Sequence, residues 1–76
     1  MKELVSVIAK SLVDNPDAVD VTEVSGRHSS VIKLRVSKSD FGKVIGKRGV
    51  TATAIRTILS AASARSRKNT ILEIVE

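Results

Sequence analysis

Two glycines bracket two cations in Gly46-Lys47-Arg48-Gly49, and this run carries the chemistry of the chain. Neither glycine has a Cβ, so the backbone of another molecule can come close to the main chain there. A long helical pattern follows at once. The free N–H groups at its start, with the positive end of its dipole, suit an anion. Lys47 and Arg48 add two full positive charges at the same spot. The ligand these features describe is a chain of phosphates.

Charge along the sequence is uneven in a way that supports this. Residues 1–23 hold two Lys against five acids. Residues 24–70 hold eleven Lys and Arg against Asp40 alone, and no acid lies between Asp40 and Glu73. A basic stretch is by itself an ordinary solvated surface. Its coincidence with the glycine turn points to a polyanion site.

Other chemistries are excluded by what is missing. The chain has no cysteine, so disulfides and thiolate metal sites are out. His28 is the only histidine and sits in a Gly/Ser loop, and no His/Asp/Glu cluster assembles a catalytic or metal site. The protein is read as a non-enzyme with no cofactor, no metal and no small-molecule substrate. No apolar run approaches the ~18 residues of a membrane helix, and the N-terminus turns polar too soon for a signal peptide. A soluble, cytoplasmic protein is the expectation. Phe41 is the sole aromatic residue, so there is no aromatic platform on which bases could stack.

The elements that must position the turn follow from periodicity. Lys2 to Asp14 reads as a helix, with Leu4, Ile8 and Leu12 repeating at four beside Val5 and Ala9. Asn15-Pro16 stops it. Ala18 to Val24 is a strand with Val19 and Val21 on one face. After a loop over Ser25 to Ser30, Val31 to Ser37 is a second strand, Ile32, Leu34 and Val36 inward, Lys33 and Arg35 outward. The two pair as an antiparallel hairpin whose outward acids and cations can face each other.

Ser39 or Asp40 is expected to cap a very short helix in which Phe41, Val44 and Ile45 share a face, and Gly46 to end it in the left-handed conformation. A second helix runs from Gly49 to about Arg65. Its expected buried stripe is Ala52, Ile55, Ile58, Leu59 and Ala62, with Arg56, Ser60 and Ser63 on the polar side. Ser66 to Asn69 is a basic turn and Thr70 to Glu76 a last strand. The two-helix crossover predicts that strands two and three are parallel. The expected architecture is a two-layer α+β domain over 1–76, order α-β-β-α-α-β, its three-stranded mixed sheet covered on one face by helices.

Two nucleotide-binding motifs are close but fail. Gly42-x-x-x-Gly46-Lys47 is one residue short of a P-loop, and Arg48 stands where Ser or Thr would hold magnesium. Val44 sits where a dinucleotide fingerprint needs glycine. What remains is helix, Gly-Lys-Arg-Gly, helix. The run Val44-Ile45-Gly46-Lys47-Arg48-Gly49 resembles the V-I-G-x-x-G signature of the KH domain, an RNA-binding module whose GXXG loop clamps a stretch of nucleic-acid backbone. The element order is similar to the type II, prokaryotic form. Met1-Lys2-Glu3-Leu4-Val5, Ser11-Leu12-Val13-Asp14-Asn15-Pro16 and Ala54-Ile55-Arg56-Thr57 look like the KhpA type, small bacterial proteins of one KH domain.

That resemblance implies about four nucleotides of single-stranded RNA in a cleft between the helices around Gly46–Gly49 and the sheet edge with the loop Ser25–Ser30. It implies RNA contacts at Gly46, Lys47, Arg48 and Gly49, with Ile45 on the cleft floor and Val50 just past the turn, where relatives often carry a basic residue. Lys43, one turn earlier, reads equally as a phosphate contact or a solubilising residue. Arg27 and His28 in the loop, and Arg56 on the long helix, are secondary candidates. Arg65, Arg67 and Lys68 read first as cations stabilising a helix C-terminus. The family is associated with homodimers, with a larger KH-containing partner, and with RNA binding that affects cell elongation and division. The competing reading is a protein-assembly module with incidental loop charge, because a core this small supplies only about 3–5 kcal/mol. A peripheral membrane protein ranks last.

Overall fold

The computed structural model describes residues 1–64 and 68–76. Its elements are helix α1 (Lys2–Leu12), strands β1 (Asp20–Ser25) and β2 (Ser29–Arg35), helices α2 (Phe41–Ile45) and α3 (Val50–Ser63), and strand β3 (Asn69–Val75). This is the α-β-β-α-α-β order of a type II KH domain. Sheet order is β1-β2-β3, with β1–β2 antiparallel and β2–β3 parallel.

Alternation decides which face is covered. Val21, Ile32, Leu34 and Leu72 are buried on the inner face and meet Val5, Ala9, Val44, Ile55 and Leu59 from the helices. On the outer face Val24, Lys33, Ile71 and Glu73 are exposed. The helices therefore cover one face only. Of the two β1 acids, Asp20 stands opposite Arg35 as expected, yet no ion pair joins them among the described residues, while Glu23 lies opposite Ile32 and accepts from the Ser30 hydroxyl at 2.8 Å.

Several expectations are corrected. The stripe of α1 is turned toward Val5 and Ala9, which are fully buried, while Leu4 and Leu12 stay at the exposed margin. Short side chains let this helix lie close on the sheet. It also ends at Leu12, ahead of Pro16, because the N–H groups of Asp14 and Asn15 turn to Asp40 instead of the helix. In α3 the buried set is Ala52, Ile55, Leu59 and Ser63, whereas Ile58 (46% exposed) and Ala62 face water. Ser63 can be buried because its hydroxyl donates to the Ser60 carbonyl at 3.2 Å.

Strand β1 starts two residues later than expected, since Pro16–Ala18 forms a tight turn first, and β2 runs from Ser29 to Arg35 instead of Val31 to Ser37. The basic turn over 66–69 falls outside the described residues except Lys68 and Asn69, and Asn69 already belongs to β3. Arg65 and Arg67 also lie outside them.

Candidate nucleic-acid interface

The turn between α2 and α3 is built from left-handed backbone. The Gly46 N–H closes α2 on the Gly42 carbonyl at 2.8 Å, and the Gly49 N–H reaches the Gly46 carbonyl at 3.1 Å. Gly46 has φ 77° and ψ 168°, so its φ is positive but it is not the helical left-handed cap expected. Gly49 (φ 76°, ψ 13°) is the residue in that region. Between them Arg48 sits at φ 58°, ψ 23°, the only non-glycine with positive φ among the described residues. Such backbone costs an L-residue with a side chain about 1–2 kcal/mol. The turn holds its arginine against that preference.

The two glycines serve different purposes. A methyl group on Gly46 would fall 2.7 Å from Thr51 Cβ and 2.8 Å from its backbone nitrogen, so the domain's own α3 fills the space a side chain would need. At Gly49 nothing lies within 4 Å of that position. The open approach for another molecule is therefore at Gly49.

Charge there is free. Lys47 and Arg48 are exposed and have no ion-pair partner among the described residues. No acid lies in the first turn of α3, and its preceding residue, Gly49, has no side chain to cap the helix. The positive end of the dipole is left for an incoming anion. Lys47, Arg48, Val50 and Thr51 line an open depression of about 510 Å³ beside it. Val50 is 65% exposed, and Ile45 is half-buried behind the turn.

Lys43 is placed elsewhere. Its ammonium is paired with Asp14 and lies 3.6 Å from Asp40 Oδ1. The hydrogen bond to Asp14 raises its pKa above the ordinary lysine value; burial opposes this, and the charges of Asp14 and Asp40 add to the rise. Arg56 donates from Nη2 to the Leu72 carbonyl at 3.3 Å, lying across the edge of β3. Arg27 and His28 are exposed in the hairpin loop, where the His28 carbonyl accepts the Asn69 N–H at 3.1 Å. That loop is at the C-terminal end of α3, a helix length of about 21 Å from the glycine turn at 1.5 Å per residue. Of the expected site residues, Lys47, Arg48 and Val50 line this one depression, Ile45, Gly46 and Gly49 adjoin them in the chain without lining it, and Arg27, His28, Lys43 and Arg56 stand apart from it.

Two residues escaped the sequence reading. Thr51 shapes the turn against Gly46, and no sequence signal marks it. Asp40 is the second; the cap of α2 expected from Ser39 or Asp40 is absent, since neither side chain bonds that helix. The Asp40 carboxylate, 1% exposed, instead accepts from the Asp14 N–H (3.1 Å), the Asn15 N–H (3.0 Å), Asn15 Nδ2 (3.3 Å) and the Ser37 hydroxyl (3.0 Å). The available signal was its solitude, one acid in a long basic stretch.

Burial pushes the Asp40 carboxyl up, and the four donors outweigh it, holding the pKa below the ordinary 3.8. A lowered native pKa contributes stability in full above about pH 3.8 that is lost as pH falls through the native value. Thermal melts from neutrality down through the carboxylate range are expected to show an acid-side loss. The Asp40→Asn variant should be less stable at neutrality and show a shallower loss.

The family model described as KhpA/KhpB, KH domain matches residues 2–74. The chain belongs to that family. KhpA proteins match it along nearly their whole length. The RNA-binding protein KhpA of Caldanaerobacter subterraneus subsp. tengcongensis is 55% identical over 75 residues, covering 99% of this chain and 100% of that protein. The KhpA of Clostridium perfringens is 53% identical with the same coverage. That of Aquifex aeolicus is 50% identical over 76 residues, covering 100% of this chain and 96% of its own. No solved structure matches the chain. The KH resemblance carried by Val44 to Gly49, and the KhpA type carried by Met1–Val5, Ser11–Pro16 and Ala54–Thr57, are both borne out. Among the described residues no helix is long and apolar enough to cross a membrane, and no group of His, Cys, Asp and Glu could hold a metal ion.

Proposed function

We propose that this KH protein binds single-stranded RNA without catalysis, as one domain over 1–76, and acts in the cytoplasm as an RNA chaperone or regulator. The observation that carries this is the pair of cations, Lys47 and Arg48, without an ion-pair partner among the described residues, on an open left-handed turn at the start of α3. The similar KhpA proteins bear the name RNA-binding protein, which agrees with it.

The strand's phosphates meet the exposed backbone at Gly49, the start of α3 and the two cations. Bases rest on aliphatic surface at Val50 and Ile45. Phe41, the sole aromatic residue, packs partly buried against the core. Sequence choice by one cleft is therefore weak, and a homodimer, or a heterodimer with a larger KH-containing protein, gains affinity by presenting two.

The test is the salt dependence of binding to a fluorescent oligouridine. With two or three phosphates held, log affinity falls with log salt at a slope of roughly −1.4 to −2, at about 0.7 per single-strand contact. A flat dependence would contradict the reading.

The assembly reading draws on Ile58 and Ala62 of α3, which face water instead of the core. Recovery of a protein partner from lysate that ignores both RNase and Asp substitutions at Lys47 and Arg48 favours it.

A further inference from the structure

Asp40 is the only charged residue buried among the described residues, and RNA binding as proposed above makes no use of it. Its four donors come from the chain just beyond α1 and from the turn before α2. Lys43, one turn into α2, closes the group by pairing with both Asp14 and Asp40. Helix α2 is five residues long and buries only Val44 completely, and the Gly46–Gly49 turn leaves directly from its end. Apolar contact alone gives so short a helix little to fix its angle.

We propose that Asp40 is a positioning residue for the glycine turn: by locking the exit of α1 to the start of α2, its carboxylate sets where Gly46–Gly49 stands. This rests on the RNA-binding reading only for its effect on affinity. The geometric effect on the turn is independent of it.

Removing the carboxylate replaces an acceptor of four hydrogen bonds with an amide that brings its own NH₂ to the same donors. The turn then samples other positions, and RNA must select the productive one, which lowers the apparent affinity.

The test compares amide spectra of isotope-labelled protein and Kd for a fluorescent oligouridine across Asp40→Asn, Ser37→Ala and Val21→Ala. In Asp40→Asn the amides of Gly46–Gly49 are expected to shift or broaden and Kd to rise about tenfold, the weight of one charge-assisted hydrogen bond. Ser37→Ala, which removes one donor, moves both in the same direction and less; it carries the test if Asp40→Asn does not fold. Val21→Ala, on the edge strand β1, lowers the melting temperature and leaves the turn amides and Kd unchanged.

Turn amides unmoved by loss of the carboxylate, or moved equally by Val21→Ala, overturn the proposal. Should the wild-type protein not bind the oligouridine, the functional reading falls, while the amide comparison still decides the role of Asp40.

Discussion

Replacing Lys47 and Arg48 together by Asp is expected to raise the Kd for single-stranded RNA about a hundredfold or more while the fold survives. Two charge-assisted contacts at about 1.5–3 kcal/mol each exceed two decades of affinity, before any repulsion from the new carboxylates. The folded domain loses nothing comparable, because both side chains are exposed and neither has an ion-pair partner among the described residues.

Two local effects even favour the variant as a fold. Asp tolerates the left-handed region at position 48 better than Arg. A carboxylate just ahead of α3 also faces the positive end of that helix's dipole. Anisotropy titration and a thermal melt on one preparation check both halves. Unchanged affinity would refute the assigned site.

Gly46→Ala and Gly49→Ala are expected to part company. At Gly46 the backbone lies in a region almost reserved for glycine, costing about 1–3 kcal/mol. The new methyl group would also strike Thr51, and such overpacking typically costs a further 1–3 kcal/mol or so. Together these rival the ~3–5 kcal/mol that a core of this size supplies. Gly46→Ala is therefore expected to be largely unfolded at room temperature.

Gly49→Ala meets no neighbour within 4 Å and bears only the left-handed cost, about 1–2 kcal/mol. It should fold, at a lower melting temperature, and bind RNA more weakly because its methyl group occupies the open approach. Denaturant titrations separate the two. A Gly46→Ala variant as stable as wild type would mean that Thr51 does not press against this turn.

Local patterns were enough for the order of the elements. Alternation at Ile32, Leu34 and Val36 marked the inward face of the central strand, and the two-helix crossover implied the parallel β2–β3 pair. Features decided by distant partners were not legible. Asp before a helix ordinarily caps it, but Asp40 found the freed N–H groups of Asp14 and Asn15, some 25 positions away in sequence. Lys43 looked like part of the basic loop until Asp14, 29 positions away, took its charge.

The stripe of α3 illustrates a second limit. A period of 3.6 is nearly as well satisfied by Ile58 and Ala62 as by Leu59 and Ser63, and the sheet beneath makes the choice. Within the candidate site, the residue types of the turn were readable from Gly46-Lys47-Arg48-Gly49. The division of labour between its glycines was not, since it depends on where Thr51 lands after the chain reverses.

The most direct measurement is a titration of isotope-labelled protein with oligouridine, following every backbone amide. The expected result is that perturbations centre on Gly46–Gly49, Val50 and Thr51, while Val24, Lys33 and Ile71 on the open face of the sheet stay still. Perturbations centred on that sheet face, with the glycine turn silent, would contradict the claim that the turn grips the strand.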